Sequence, residues 1–219
     1  LGANNIASLN EFVSKGEIGE IIKVAEALHE KKVAQIADKI YSKRSKIKII
    51  LISGPSSSGK TTFAKRLSIQ LKVMGLNPYA ISLDNYFVNR EDTPRDENGE
   101  YDFESIQALD VNLFNQNLLD LLEGKEIDLP KFSFETGKRF FDGTRIKPDD
   151  KTIFVIEGIH GLNPDLTPLI KSENKFKIYV SALTTVSLDQ HNRVPTTDNR
   201  LVRRIVRDFR YRHYSALDS

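Results

Sequence analysis

The feature that most constrains the fold of this 219-residue sequence is the segment Gly-Pro-Ser-Ser-Ser-Gly-Lys-Thr at positions 54–61. It matches the pattern G-x-x-x-x-G-K-[ST] in full, and it lies between an apolar run at 48–53 and a helical pattern at 62–73. Glycine lets consecutive backbone N–H groups turn toward an anion, and the following helix adds the positive end of its dipole. The sequence therefore predicts a phosphate-binding loop between a buried strand and a helix.

Two side chains of this loop have roles that the motif implies. Lys60 is expected to neutralise the β- and γ-phosphates of a nucleotide, and the Thr61 hydroxyl is expected to ligate Mg²⁺. The motif does not distinguish a motor, a switch or a kinase. The Asn-Lys-x-Asp tetrapeptide of switch GTPases is absent from the sequence, which disfavours that class. The remaining predicted nucleotide-binding positions are Gly54, Ser56, Ser57, Ser58, Gly59 and Thr62.

The rest of the chain alternates apolar runs with helical patterns. The predicted strands cover 48–53, 79–83, 152–156 and 176–180, and the predicted helices between them cover 62–73, 111–122 and 200–211. Apolar strands that alternate with helices are typical of a mostly parallel sheet with helices on both faces. The predicted fold class is therefore α/β, a P-loop nucleotide-binding fold.

An amphipathic helix over residues 17–43 precedes this domain. Its apolar side chains follow the 3.6-residue period, and a basic stretch at 43–46 separates it from the first strand. The chain has no initiator Met and stops directly after a helical pattern. We therefore expect residues 1–45 to be a helical linker or the end of an upstream domain. Residues 46–219 are expected to form the P-loop domain, incomplete at its C-terminus.

Composition excludes several other classes of protein. The sequence has no Cys, which rules out disulfides and thiolate metal sites. It contains no apolar run long enough to cross a bilayer or to form a signal peptide. The 32 Lys and Arg residues nearly balance 30 Asp and Glu residues, so no overall field attracts nucleic acid or membranes. A cytoplasmic protein with a small-molecule partner is expected.

Two carboxylates are predicted to lie beside the phosphate loop. Asp84 follows the strand at 79–83, and Glu157 follows the strand at 152–156. The carboxyl ends of parallel strands form the ligand crevice of such sheets, so both side chains should face the phosphates. One carboxylate could hold the metal while the other acts on an acceptor hydroxyl.

Five segments together resemble the uridine kinase and phosphoribulokinase branch of small-molecule kinases. They are 52–62, 82–87, 101–104, 154–158 and 198–208, and their order and spacing agree with that family from about residue 46 onward. The chain looks most similar to the kinase half of bacterial chains with an upstream part related to threonyl-tRNA synthetase. The resemblance implies ATP and Mg²⁺ as cofactors and a nucleoside as acceptor. The sequence leaves open whether the chain forms a homo-oligomer.

The resemblance also implies roles for individual residues. Asp84 falls on the carboxylate that accepts the proton of the nucleoside 5′-hydroxyl, and Glu157 falls on the acid that holds Mg²⁺ with Thr61. Glu104 occupies the place of an Asp that hydrogen-bonds the ribose hydroxyls. Arginines of the lid approach the sugar and the transferring phosphate. The implied lid arginines are Arg204, Arg207 and Arg212, and the other implied substrate-binding residues are Tyr86, Phe87 and Phe132.

The sequence departs from that family in the segment expected to contact the base. Phe132 stands where the family has Tyr, and Gly137 stands where it has His. These two positions offer a stacking surface without a side-chain hydrogen bond, which predicts loose base selectivity.

Three functions remain open at this stage. The first is a kinase for a nucleoside, with uridine or cytidine first. The second is a kinase for another small hydroxylated acceptor, such as a sugar phosphate. The third, disfavoured, is an RNA-associated nucleotide-binding module, which the arginine-rich segment at 200–212 suggests.

Overall fold

A computed structural model describes residues 2–212 and 215–217 of the chain. Its helices are α1 (Ile6–Ser14), α2 (Ile18–Tyr41), α3 (Lys60–Val73), α4 (Val111–Leu122) and α5 (Thr196–Arg212). Its strands are β1 (Ile49–Ser53), β2 (Asn77–Ser82), β3 (Ile127–Ser133), β4 (Lys138–Ile146), β5 (Thr152–Glu157) and β6 (Lys175–Tyr179).

Four strands form a parallel sheet in the order β2-β5-β1-β6. Every residue of the two central strands, β1 and β5, is buried. This burial explains why both strands are continuous apolar runs in the sequence, since helices and loops cover each face of the sheet. The expected α/β class and mostly parallel sheet are confirmed.

Alternate residues of β1 enter different halves of the core. Ile49 and Leu51 pack in the half that contains α4, with Phe114 and Leu118 as its largest helical side chains. Ile50 and Ile52 pack in the half that contains α2 and α3. The period of two along the strand therefore divides the core between the two faces of the sheet.

The helix α2 is more closely joined to the sheet than the expected boundary at residue 45 implies. Its side chains Val33, Ala37 and Ile40 are fully buried and share the core half of β1 with α3. The N-terminal half of α2 lies outside this core, with Ile22 and Leu28 about half exposed. Among the described helices, α2 included, none has the length and apolar character that a membrane span requires.

The sequence patterns missed the antiparallel hairpin of β3 and β4 and the short helix α1. The register of the hairpin shifts between Asp128 and Pro130, which breaks the alternation that identifies a strand. Most of β4 is exposed, and its two phenylalanines, Phe140 and Phe141, are consecutive, so its sequence shows no alternation of apolar and polar residues. The hairpin stands beside the parallel sheet and forms one wall of the cavity described below.

We predict that Ile40→Ala lowers the free energy of unfolding by about 2–4 kcal/mol, because it leaves a cavity under α2. Ile22→Ala, on the same helix at 53% exposure, should change it by less than about 0.5 kcal/mol. Urea denaturation of the full chain measures both values. Equal small effects at the two positions would mean that α2 does not belong to the core.

Candidate active site

The phosphate loop connects the end of β1 to the start of α3 in a shape that requires glycine at two positions. A Cβ on Gly54 would lie 2.1 Å from the Val180 carbonyl oxygen, so a side chain there is excluded. Gly59 has φ +98° and immediately precedes Lys60, the first residue of α3. The loop hydroxyls of Ser57 and Ser58 are buried without a hydrogen-bond partner among the described residues. This arrangement fits a loop whose missing partner is a phosphate chain.

Glu157 lies at the centre of the sheet edge that carries the loop. It ends β5 and pairs in register with Ile52 of β1 and with Ser82 of β2. The hydroxyls of Thr61 and Ser82 both donate to its Oε1 atom, each at 3.1 Å. Parallel register thus brings together the predicted metal ligands Thr61 and Glu157.

Burial perturbs the two charged groups nearest the loop. The pKa of Glu157 is raised, first by burial and then by the negative charge of Asp84. The pKa of Lys60 is lowered by burial, although Glu157 and Asp84 act in the opposite direction. The Lys60 ammonium donates to the Pro55 carbonyl at 3.2 Å, so it is held over the loop. Perturbed groups of opposite sign in one crevice are typical of an active site.

The residues present fit a magnesium ion. A hydroxyl and a carboxylate in contact are hard oxygen ligands, and Mg²⁺ in phosphoryl-transfer sites is commonly bound by one or two carboxylates together with substrate phosphates. No cluster of three or more His, Cys, Asp or Glu residues able to hold a metal occurs within the described part of the chain. The pair formed by Thr61 and Glu157 is therefore suited to a metal that arrives with a nucleotide.

Asp84 faces the same space from the neighbouring strand. It lies in a single helical turn, Leu83–Tyr86, directly after β2, and it is half-buried. Asp84, Lys60, Thr61 and Glu157 all line one cavity of about 850 Å³. The predicted proton acceptor and the predicted phosphate loop thus open into a single space.

The far end of this cavity is aromatic. Phe87 and Phe132 line it as predicted, with ring centroids 5.5 Å apart. Phe103 and Phe134 join them, at 6.1 Å and 6.3 Å from the Phe87 ring. Glu104 also lines the cavity and is exposed.

Several residues at this end were not predicted from the sequence, although all lie within or near segments that the sequence analysis discussed. They are Arg90, Tyr101, Phe103 and Phe134.

Tyr86 is a correction to the expected substrate-binding set. Its side chain is 1% exposed and packs edge-on against Phe114 at 5.1 Å. Its hydroxyl accepts a hydrogen bond from the Asn117 amide, and burial raises the pKa of Tyr86 to about 12. Tyr86 is therefore a core side chain. Within the four-residue turn, Asp84 faces the cavity and Tyr86 faces the hydrophobic core.

The helix α5 lies across the phosphate loop. Arg200 and Arg203 donate to the carbonyl oxygens of Ser56 and Ser57, each at 3.0 Å. Arg207 donates to the Ser56 hydroxyl at 3.3 Å. The arginine-rich face is thus directed at the loop rather than at solvent alone.

Two of the predicted lid arginines are positioned by a buried acid. Arg204 and Arg207 line the cavity, and both pair with Asp208, at 3.6 Å and 2.7 Å. Asp208 is 1% exposed, so it holds both guanidinium groups from the buried side of α5. The side chain of Arg212 lies outside the described residues, and its predicted role is not tested.

Known proteins match both the sequence and this fold. A model described as the phosphoribulokinase / uridine kinase family matches residues 49–218. A uridine kinase of Schizosaccharomyces pombe is 37% identical over 127 residues, which are 53% of this chain and 25% of that protein. A uridine kinase of Macrococcus caseolyticus is 31% identical over 169 residues, which are 77% of this chain and 72% of that protein.

A solved structure described as a possible uridine kinase from Bacillus stearothermophilus is similar in fold. Its TM-score is 0.56 at 24% identity, and the match covers 68% of this chain and 79% of that chain. The family match spans the phosphate loop, both strand-end carboxylates and α5. The chain therefore belongs to the phosphoribulokinase / uridine kinase family of P-loop kinases.

Proposed function

We propose that the protein transfers the γ-phosphate of ATP to the 5′-hydroxyl of a nucleoside, with uridine and cytidine as the first candidates. The observation that carries this proposal is the single cavity shared by the phosphate loop, Asp84 and the aromatic end. A planar base fits between aromatic side chains, and a ribose would lie between the base and the loop. Glu104, which lines the cavity, would accept hydrogen bonds from the ribose hydroxyls.

The proposed reaction is an in-line displacement at phosphorus. The nucleoside O5′ forms a bond to the γ-phosphorus while the bond from that phosphorus to the β,γ-bridging oxygen breaks, and ADP leaves. The proton of the 5′-hydroxyl passes to the Asp84 carboxylate. Lys60, Arg204 and Arg207 stabilise the charge that spreads over the transferring oxygens. Thr61 and Glu157 would hold Mg²⁺, which withdraws charge from the β- and γ-phosphates when bound.

The other candidate functions receive less support from the cavity. A sugar phosphate would place a dianion at an end lined mainly by phenylalanines, where Arg90 is offset by the carboxylate of Glu104 and desolvation of charge is costly. An RNA-binding face would need its arginines directed outward, whereas Arg200, Arg203 and Arg207 bond the phosphate loop. RNA binding would fall steeply with added salt, and turnover of a small acceptor would not. A transfer assay over nucleosides and sugar phosphates, repeated at two salt concentrations, separates all three functions.

We predict that Asp84→Asn lowers kcat for nucleoside phosphorylation by about 10² or more, because an amide cannot accept the proton. Lys60→Ala should have a comparable effect through the phosphates. Neither side chain fills the core, so both variants should melt near the wild-type temperature. Asp165→Asn, an exposed aspartate outside the cavity, is the matched control and should retain full activity. Undiminished transfer by Asp84→Asn would remove the proton-acceptor role.

We predict that Glu157→Gln abolishes Mg²⁺-dependent transfer while raising the thermal stability of the free protein. A pKa raised in the folded state means that ionisation of Glu157 opposes folding. The stability of the wild type should therefore fall as pH rises from the usual carboxyl value of 4.5 through the raised pKa of Glu157. Gln does not titrate, and its oxygen can still accept from Thr61 and Ser82.

Thermal melts without Mg²⁺ between about pH 4.5 and pH 8 measure this difference. The Tm advantage of Glu157→Gln should be greatest near neutral pH and should shrink toward the acid end. Glu135→Gln, at an exposed position, should show no such trend. A variant less stable than the wild type at neutral pH would contradict the prediction.

A further inference from the structure

Arg90 is the one cation at the aromatic end of the cavity that lies outside α5 and the phosphate loop, among the described lining residues. It begins a short helical turn, Arg90–Asp92, six residues after Asp84. The side chain is half-buried and lines the cavity together with Phe87, Phe132 and Phe134. In the sequence, Arg90 belongs to a long polar stretch at 89–99 that is typical of a lid or binding loop, but no motif assigns this residue a role.

Two hydrogen bonds fix Arg90 to the turn of the β3–β4 hairpin. Its terminal Nη2 group donates to the Phe134 carbonyl at 2.7 Å, and its backbone N–H donates to the Gly137 carbonyl at 2.8 Å. A long side chain that is tied at both its backbone and its tip loses little further freedom when a ligand binds. The guanidinium is therefore a preorganised part of the wall.

Gly137 is the reason that Arg90 can occupy this place. A Cβ on Gly137 would lie 2.7 Å from Nε and 2.8 Å from Cβ of Arg90, and Gly137 has φ +67°. A histidine at position 137 would therefore displace the guanidinium as well as strain the turn. The missing side chain at 137 and the presence of Arg90 are two parts of one arrangement.

The chemistry of a guanidinium limits what it can recognise. It carries five N–H donors and no acceptor, and the Phe134 carbonyl uses one of them. Between aromatic walls, the ligand edge that meets Arg90 must present acceptor atoms. Cytosine presents O2 and an unprotonated N3 side by side, which suits two parallel N–H bonds. Uracil presents carbonyl oxygens on either side of an N–H donor, and adenine presents an amino donor beside N1.

Resting on the function proposed above, we infer that Arg90 is the specificity-determining residue of the acceptor end. It selects nucleosides by the acceptor atoms on the base edge, in the order cytidine, uridine, adenosine. This inference replaces the loose selectivity that Phe132 and Gly137 alone predict. A charged hydrogen bond that a wrong base leaves unpaired corresponds to discrimination of roughly tenfold or more.

The test measures binding separately from transfer. The probes are 5′-deoxycytidine, 5′-deoxyuridine and 5′-deoxyadenosine, which lack the hydroxyl that would receive phosphate, and their affinities for the full chain are measured by calorimetry. The variants are Arg90→Met, which removes every donor, and Arg90→Lys, which keeps the charge but not the planar fork. The control is Arg145→Met, on β4 of the same hairpin and exposed.

The wild type should bind 5′-deoxycytidine at least tenfold more tightly than 5′-deoxyadenosine. Arg90→Met should lose at least tenfold affinity for 5′-deoxycytidine and most of this preference, with ATP binding unchanged. Arg90→Lys, which has no planar fork to span O2 and N3, should lose the preference for cytidine over uridine. If Arg90→Met does not fold, the Arg90→Lys result decides alone. Arg145→Met should behave as the wild type.

Three results would overturn the inference. The first is an unchanged ratio of affinities in Arg90→Met or Arg90→Lys, and the second is equal binding of all three probes by the wild type. The third is that the wild type phosphorylates D-ribose 5-phosphate and not nucleosides, and that Arg90→Met abolishes this turnover. The proposed function has a separate outcome. A wild type that binds 5′-deoxycytidine through Arg90 but does not phosphorylate cytidine would sustain the inference and refute the reaction.

Discussion

The site depends on the parallel register of β1, β2 and β5. In that register Glu157 pairs with both Ile52 and Ser82, so the three strands end at one edge of the sheet. The phosphate loop follows β1, the proposed metal-binding carboxylate of Glu157 ends β5, and the turn with Asp84 follows β2. A shift of one residue in β5 would turn the Glu157 side chain to the other face of the sheet. The polar residues at the ends of these strands, Ser53, Ser82 and Glu157, meet at this edge only in the observed register.

The same edge of the sheet holds charged groups whose burial opposes folding. Glu157 is a buried carboxylate close to Asp84, and burial disfavours the charged form of Lys60 as well. These are the charge states that phosphate and metal would stabilise on binding. The fully buried side chains of Ile40, Ile50 and Ile52 belong to the core half that packs under α2 and α3, and their burial stabilises the fold. Binding of a nucleotide should therefore stabilise the fold by more than its contacts with the loop alone.

The fold could be predicted from the sequence in those segments whose apolar residues follow a regular period. The helix at Val111–Leu122 and the strand that begins at Thr152 occur as predicted, because both have an unbroken apolar period. The loop residues could be placed by their motif, and the two strand-end acids by the apolar strands that precede them. The β3–β4 hairpin could not, because a register shift near Pro130 hides its alternation. Arg90 and Tyr86 depend on how a loop folds back on the hairpin, and no local pattern carries that information.

The central claim is that one cavity joins ATP to the 5′-hydroxyl of a nucleoside, and identification of the product tests it most directly. The full chain is incubated with ATP, Mg²⁺ and cytidine, and ³¹P NMR with proton coupling locates the new phosphate ester. The account predicts cytidine 5′-monophosphate and ADP in equal amounts, with neither formed by Lys60→Ala. ADP and inorganic phosphate without a nucleotide product, or an ester at the 2′ or 3′ oxygen, would contradict it.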